Sequence, residues 1–453
     1  MRGLRSTIAL LAVLGGLFAY IYFVTWKQPA SDTGPKLNRV FAALEADKVE
    51  EIKVRSESGE TTTLRKSDGV WQVASPIATK ADESAASSLA ADLSTMEVAR
   101  VIDENPADLK EYGLDAPRFQ VDFKAEGDTA YRSVLFGQPS PTGADVFAKR
   151  GDEKRVFLLS SYQQTAFNKS TFDLRDKTLL TVDRAKVDGL EIRAAGRTTV
   201  QVAREGTNWN MTRPYEIRAD SGAVEGLIGR LQTAAMRSSV TENASAADLK
   251  KYGFDRPSAE LNLMLGSARA TLVLGGKTSE NTYYARDTSK PAVVTVDASL
   301  LDEFKKGANE YRRKDLFEFR AYSADRIEIA RDGGTVVFEK VKSQEQTTPD
   351  KWRRISPNAG EVDTMKMELF LAKIENTRAS SFVDTIAKTG LDKPYMTVYA
   401  KFADVPSVVK EERVTFGRVG EDTFARRPGE PGAAKVGTSE LDDTLKALDD
   451  VSK

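Results

Sequence analysis

The chain of 453 residues contains neither cysteine nor histidine. Without cysteine it cannot form a disulfide, present a thiolate nucleophile or build a zinc–thiolate site. Without histidine it lacks the commonest general base, the usual Ser-His-Asp triad and the commonest transition-metal ligand. Carboxylate chemistry and calcium binding through oxygen ligands stay open, but no acidic pattern in the sequence marks such a site. We therefore expect no catalytic residue, no metal site and no cofactor, and we predict a protein that is not an enzyme.

The sequence also lacks an excess of charge of either sign. Lysine and arginine number 66, and aspartate and glutamate number 67, so a strongly basic surface for nucleic acid is not indicated. Hydrophobic residues make up 40% and charged residues 29%, which is a composition typical of globular proteins. At about 150 residues per domain, the length suggests roughly three domains.

One long apolar run is present, at the N-terminus. No charged residue lies between Arg5 and Lys27. A helix from Ser6 to Trp26 would rise roughly 30 Å, about the thickness of the hydrocarbon core of a membrane. The residues after Trp26 fit a signal-peptidase cleavage site poorly. We therefore predict that residues 1–26 form an uncleaved membrane anchor rather than a cleaved signal peptide.

Charge does not fix the side of the membrane on which the rest of the chain lies. Basic residues occur on both sides of the apolar run, so the positive-inside rule does not decide. A short tail before a single span usually leaves the long C-terminal part translocated, and we expect the bulk of the chain outside the cytoplasm. Residues 27–37 contain proline, glycine and serine and are predicted to form a linker.

Three tryptophans begin the same short pattern, in which proline follows tryptophan by five residues. The pairs are Trp71 and Pro76, Trp209 and Pro214, and Trp352 and Pro357. Before each tryptophan, apolar and polar residues alternate nearly strictly, as in a half-buried strand. We interpret the tryptophan as core volume at a strand end and the proline as the residue that stops the strand.

Further motifs recur downstream in the same order. A turn of the type Tyr-Gly-apolar-Asp-x-Pro occurs twice and is shortened in the third copy; its glycines are Gly113, Gly253 and Gly390. A short strand motif ends at Gly137, Gly275 and Gly417. This second glycine follows the tryptophan by 66, 66 and 65 residues, a register that chance does not give. We interpret both sets of glycines as structural, and the first set as the end of a helical turn.

A basic residue recurs after an aromatic residue and an alanine. It is Lys149, Arg286 or Arg426 in the three copies. A repeated cation either forms a structural ion pair or a solvated surface, or it contacts an anionic polymer or a protein partner at each repeat. These three residues are the candidate interaction positions of the chain.

The repeats predict an α+β fold: three tandem copies of a β-rich module, with mainly antiparallel sheets and short helices, after one N-terminal transmembrane helix. Antiparallel hairpins are expected because few connections are long enough for helical crossovers. We predict the modules at residues 38–180, 181–318 and 319–453. A helix is predicted after the proline, with Leu89 and Leu93 on one face in the first copy.

Taken together, these features resemble a bacterial family described as domain of unknown function 4340. The resemblance rests on the N-terminal span, the tryptophan–proline element, the tyrosine–glycine turn and the two later motifs, and it extends over nearly the whole chain from about residue 5. It implies a single-pass protein of the bacterial inner membrane with its bulk in the periplasm. It also implies partners among envelope proteins and ABC-transport components of the gliding-motility auxiliary type. The third copy departs from the pattern, because its Leu-Lys-x-Tyr segment is eroded.

Three functions follow as hypotheses. The first is a non-enzymatic accessory or scaffold protein, anchored beside a transporter or an envelope polymer. The second is a protein that binds a lipid or a glycan, which predicts an apolar or aromatic-lined cleft at a module boundary. The third is a carboxylate-dependent hydrolase, which requires two acidic side chains in one cleft and at least one abnormal pKa. The sequence favours the first.

Overall fold

The computed structural model describes residues 39–278, 281–343, 350–405 and 408–452. The predicted membrane anchor and the predicted linker lie outside these residues. Within the part of the chain that is described, no helix is both long and apolar enough to cross a membrane.

The chain divides between Lys177 and Thr178 into two compact units. The first unit contains one nine-stranded sheet, and the second contains two. All neighbouring strands in the three sheets are antiparallel. The structure thus confirms three β-rich modules with antiparallel sheets and helices, while the exact module boundaries stay a prediction.

The first sheet lies wholly in the first unit. Its strands are β1 (Val49–Arg55), β2 (Thr61–Ser67), β3 (Val70–Ser75), β4 (Thr79–Lys80), β5 (Arg100–Asp103), β6 (Phe119–Ala125), β7 (Arg132–Pro139), β8 (Asp145–Arg150) and β9 (Val156–Ser160). The helices of this unit are α1 (Glu83–Thr95), α2 (Tyr162–Phe167) and α3 (Thr171–Leu174). From the central pair β1 and β6, the chain runs outward to β4 on one side and to β9 on the other, and β5 pairs with β9 at the edge.

The second sheet repeats this order. Its strands are β10 (Gly189–Ala194), β11 (Arg197–Glu205), β12 (Asn208–Arg213), β13 (Ile217–Arg218), β14 (Ser238–Thr241), β15 (Ala259–Leu265), β16 (Ala268–Lys277), β17 (Thr282–Asp287) and β18 (Val293–Asp297). The helices are α4 (Ser221–Thr233), α5 (Ala246–Lys251) and α6 (Ala298–Phe304). The strand order is β13-β12-β11-β10-β15-β16-β17-β18-β14.

The third sheet has the same topology again. Its strands are β19 (Ala324–Arg331), β20 (Gly334–Val341), β21 (Lys351–Ser356), β22 (Gly360–Glu361), β23 (Ala379–Val383), β24 (Met396–Val405), β25 (Val408–Val419), β26 (Asp422–Arg426) and β27 (Ala433–Val436). The helices are α7 (Thr364–Glu375) and α8 (Thr438–Ser452). The strand order is β22-β21-β20-β19-β24-β25-β26-β27-β23.

Side-chain alternation decides which face of each sheet is covered. In β6, Phe119, Val121 and Phe123 are buried, and the residues between them are polar and less buried. This period of two is the mark of a strand with one covered face. Leu89 and Leu93 of α1 are buried in the same core as these strands, so the predicted helix and its buried face are confirmed.

An aspartate fixes the start of the main helix in each module. Asp82, Asp220 and Asp363 precede α1, α4 and α7, and each carboxylate accepts a hydrogen bond from the backbone N–H of the third helical residue. Such N-caps satisfy one of the free donors at a helix start. The three helices can therefore be aligned residue by residue from these aspartates.

The third module differs at the eroded segment. In the first module the turn before Gly113 is a 3-10 turn at Lys110–Tyr112, and in the second it is α5. The described residues just before Gly390 form no helix. The predicted departure of the third copy is thus visible as a lost helical turn.

Candidate functional site: the repeated hairpins and the junction of the second and third modules

The three repeated cations lie on the outer faces of their sheets. Each follows a fully buried alanine, Ala148, Ala285 or Ala425, and successive side chains of a strand point to opposite faces. The cations are Lys149 in β8, Arg286 in β17 and Arg426 in β26. The three cations therefore lie in three different sheets.

Their environments are not equivalent. The Nζ of Lys149 donates to the carbonyl oxygen of Arg150 at 2.8 Å, and burial lowers the pKa of Lys149. Arg286 is half-buried, and its Nε has no hydrogen-bond partner within the described part of the chain. Arg426 is exposed. The three cations therefore occupy matching positions in the repeats but have different surroundings, and they do not make three identical binding positions.

The tyrosine–glycine turn packs against the hairpin that carries these cations. The ring centroids of Tyr112 and Phe147 lie 5.2 Å apart, and those of Tyr252 and Tyr284 lie 4.5 Å apart. Thr389 takes the place of the tyrosine in the third module. Two motifs that are distant in the sequence thus form one packing unit in the first two modules.

Two glycines of each module meet at this contact. Gly113, Gly253 and Gly390 adopt φ values of 65°, 80° and 72°, in the left-handed region that favours glycine. Gly137, Gly275 and Gly417 face the carbonyl oxygens of Tyr112, Tyr252 and Thr389, and a Cβ at any of them would overlap that oxygen. The two sets of glycines therefore allow the turn and the strand to touch.

The repeated tryptophans are buried, and each is the second residue of its strand, β3, β12 or β21. Trp71, Trp209 and Trp352 are 1%, 2% and 4% exposed. The peptide bonds before Pro76, Pro214 and Pro357 are cis. Past each proline the chain returns along the short edge strand β4, β13 or β22.

A basic side chain lies near each tryptophan ring, at a position that sequence reasoning missed. The distances from cation to ring centroid are 5.7 Å for Lys66 and Trp71, 4.7 Å for Arg204 and Trp209, and 5.3 Å for Lys340 and Trp352. Each pair faces across two neighbouring strands. The cation precedes the tryptophan by five residues in two modules and by twelve in the third. The residue that pairs with the tryptophan across the two strands therefore identifies the cation, whereas a fixed spacing in the sequence does not.

The segment between the second and third modules is bonded to both. On one side, the N–H of Arg313 donates to the carbonyl oxygen of Arg218 at 3.2 Å. On the other side, the N–H of Ala379 donates to the carbonyl oxygen of Lys314 at 2.8 Å. Lys314 follows Arg313 directly, so no free spacer separates these two modules.

Arg312 is buried at this junction and is 2% exposed. Its Nη2 donates to the Glu430 carboxylate of the third module at 3.1 Å. Its guanidinium carbon lies 4.0 Å from the ring centroid of Phe382 and 6.0 Å from that of Tyr215. A buried cation thus holds aromatic and acidic groups of two modules together.

Two further carboxylates, Glu318 and Glu412, lie beside Arg427 and have opposite pKa shifts. Glu318 is partly buried, yet its hydrogen bond from Arg427 at 2.9 Å and the nearby charge of Arg218 hold its pKa below the usual range. Burial raises the pKa of Glu412, although the backbone N–H groups of Phe319 and Glu318 donate to it. The junction therefore contains one carboxylate that favours ionisation and one that resists it.

A polar cleft of about 350 Å³ opens at the same junction. Its lining includes Asn208, Ser221, Arg218, Arg313, Asp315 and Arg378. Its arginines are paired: Arg378 lies 3.0 Å from Asp315, and Arg218 lies 3.2 Å from Glu318. The hypothesis of lipid or glycan binding predicts an apolar or aromatic-lined cleft at a module boundary, whereas this cleft is lined mostly by polar and charged residues and by one aromatic residue, Trp209.

Metal binding has no candidate among the described residues. Within them, no three aspartate or glutamate side chains are grouped so that they could hold an ion.

Comparison with models of protein families shows which family the chain belongs to. The model of a family described as "Domain of unknown function (DUF4340)" matches residues 71–210 and 209–394. The chain belongs to the DUF4340 family. The comparison with curated proteins and the comparison with solved structures each return no match. The first DUF4340 segment begins at Trp71 and the second at Trp209, so each segment takes in parts of two successive sheets.

Proposed function

We propose that this DUF4340 protein is a non-enzymatic accessory or scaffold protein of the bacterial cell envelope. In this proposal the N-terminal apolar run anchors it in the inner membrane, the three modules lie in the periplasm, and its partners are envelope proteins or components of an ABC-type transporter.

The junction around Arg312 is the observation that carries this proposal. Its arginines and carboxylates are paired with one another, so they serve to fix the second module against the third. A short segment bonded to both modules and a buried cation stiffen the pair. A stiff pair of sheets suits a protein that presents surfaces to partners at a set spacing.

The anchor is tested by fractionation. The full chain is expected in the membrane fraction after alkaline extraction, and protease added to the periplasmic side should degrade the modules. Recovery in the soluble fraction, or protection of the modules from periplasmic protease, contradicts the proposed localisation.

The scaffold role is tested by crosslinking in membranes, followed by purification of the full chain. Integral membrane proteins or transporter subunits are expected in the product. A matched sample carrying Arg312→Ala should yield less of any partner that contacts both the second and the third module. Recovery of no protein, together with a normal envelope in a deletion strain, contradicts the role.

Binding of a glycan is a second candidate, favoured by the outer face of the third sheet. A groove of about 510 Å³ there is lined by Glu328, Thr335, Thr397, Tyr399 and Arg413, among others. Burial and a hydrogen bond to Glu411 raise the pKa of Tyr399 to about 12, so the hydroxyl stays protonated. Hydroxyl, carboxylate and guanidinium groups around an aromatic ring suit a polyol.

Cosedimentation with insoluble envelope glycan tests this candidate. Tyr399→Ala should reduce binding, whereas Tyr131→Ala, at an exposed tyrosine of the first module, should not. Equal binding by both variants contradicts it.

A further inference from the structure

Exposed apolar side chains are concentrated in the third module. Twelve large hydrophobic residues are exposed in the described chain, three of them before residue 163 and nine after residue 321. Met365 and Leu369 of α7 are 79% and 56% exposed. Exposed apolar groups that share one face of an element mark an interaction surface more often than scattered ones do.

The outward face of α7 has the pattern of a coiled-coil seam. Met365, Leu369 and Ala372 follow one another at spacings of four and three, which are those of heptad positions d, a and d. The flanking residues are Lys366 and Lys373 on one side, at e, and Glu368 and Glu375 on the other, at g. The opposite face of the helix, with Met367, Phe370, Leu371 and Ile374, is buried in the module.

The fold does not require this apolar face. Aligned from the N-cap aspartates, the matching positions are Ser84, Ser88 and Ala91 in α1, and Gly222, Gly226 and Gly229 in α4. The main helix therefore forms in the first two modules with small or polar residues on its outside. The face made by Met365, Leu369 and Ala372 is specific to the third module, and we call it the α7 seam.

We propose that the α7 seam binds the α7 seam of a second copy of this chain, with the two helices parallel. In a parallel pair the g position of one helix faces the e position of the other. Glu368 of one copy then lies opposite Lys373 of the second copy, five residues further along the sequence. An antiparallel pair would place the lysine flanks against each other, so the charges select the parallel arrangement.

The α7 seam is short, and its length limits how strongly it can hold two chains together. The 12 residues of α7 make a rod of about 18 Å, which is short for a coiled coil that has to hold two chains together alone. Anchoring of both chains in one membrane raises their effective concentration and holds them in the same orientation. In this respect the contact rests on the proposed membrane anchor.

The lack of native cysteine allows a clean test. Leu369→Cys gives the full chain a single thiol, and so do the controls Ser88→Cys and Gly226→Cys at the matching places of α1 and α4. After mild oxidation in membranes, the Leu369→Cys chain is expected to form a disulfide-linked homodimer at roughly ten times the yield of either control, because thiols at a seam position fall within bonding distance.

Charge reversal tests the parallel register. In the Leu369→Cys background, Glu368→Lys and Lys373→Glu should each lower the dimer yield about fivefold. The double variant carries a reversed but complementary pair and should restore the yield. A single reversal that raises the yield, or a double variant that stays low, overturns the parallel pairing.

The remaining outcomes separate this contact from the anchor. A membrane-bound chain that forms no more dimer at Leu369→Cys than at Ser88→Cys overturns the α7 contact and leaves the anchor standing. If fractionation finds the chain outside the membrane, the same oxidation of the concentrated purified chain decides: a Leu369→Cys dimer supports the contact without the anchor, and no dimer overturns it.

Discussion

The guanidinium carbon of Arg312 lies 4.0 Å from the ring centroid of Phe382, and this contact joins the second module to the third. Arg312 is almost fully buried, and the Glu430 carboxylate accepts from it at 3.1 Å. Loss of one partner of a buried ion pair is costly because the other charge stays behind, whereas replacement of both partners by apolar groups of similar volume is often tolerated.

Arg312→Ala is expected to lower the free energy of unfolding of the second unit by about 3 kcal/mol, since it removes the pair with Glu430 and the packing on Phe382. Arg312→Met removes the same charge but keeps most of the packing on Phe382, so it should cost less, about 2 kcal/mol. Urea titration followed by circular dichroism measures both. Arg426→Ala, at an exposed cation of the same unit, should have little effect; an equal loss in all three variants would contradict the role of the junction.

Gly275→Ala is expected to destabilise the second module by about 2 kcal/mol or more. The added methyl group would overlap the carbonyl oxygen of Tyr252 and force the turn away from the strand. Gly307→Ala is the control, because a Cβ there meets nothing within 4 Å. Thermal unfolding of the two variants side by side checks the difference, and equal melting temperatures would be the contrary result.

Tyr252→Thr copies the residue of the third module into the second. It removes the ring that packs 4.5 Å from Tyr284 and should cost about 1 kcal/mol. Tyr322→Thr, at an 84% exposed tyrosine, should be close to neutral. The urea midpoints of the two variants measure the contrast, and the reverse order would argue against the aromatic contact as part of the fold.

Stability should depend on pH in opposite ways through Glu318 and Glu412. The pKa of Glu318 lies below its ordinary 4.5, so its ionisation stabilises the folded chain above that pH and the contribution is lost as the pH falls through the lowered pKa. The pKa of Glu412 lies above 4.5, so the folded chain favours the protonated form and stability is lost as the pH rises through the raised value.

Glu318→Gln should therefore lower stability at neutral pH by about 1 kcal/mol, because the hydrogen bond from Arg427 loses its charged acceptor, with a smaller effect in acid. Glu412→Gln should become less harmful relative to the native chain as the pH rises above 4.5. Urea titrations of the native chain and of the two variants, at pH values below and above 4.5, provide the test. Parallel pH profiles for all three would show that neither carboxyl has the shift described.

Much of the fold was predictable because its main motifs occur three times in the sequence. The alternation before each tryptophan predicts strands, which the structure has as β1, β10 and β19, and Leu89 and Leu93 predict the buried face of α1; the structure confirms both. The loss of the Leu-Lys-x-Tyr segment also appears in the structure, as a turn without a helix before Gly390. These are local patterns, in which the residues that interact lie close in the sequence.

The junction could not be predicted in the same way. Arg312, Arg313 and Lys314 form a run of basic residues in which nothing in the sequence marks one member as buried. Arg312 is buried, and its partner Glu430 lies 118 residues further along the chain. The contact between Lys340 and Trp352 could not be predicted for a related reason. A longer hairpin separates these two residues in the sequence than separates the matching residues of the other modules. Both contacts depend on distant pairings that a linear pattern does not contain.

The placement of one buried tryptophan in each sheet has a spectroscopic consequence. Beyond Trp71, Trp209 and Trp352, the sequence has just one tryptophan, Trp26. Replacing the other three by phenylalanine leaves one of Trp71, Trp209 and Trp352 as a fluorophore that reports on a single module. The chain thus supplies its own set of optical reporters, with which the cooperativity between neighbouring modules can be read one module at a time.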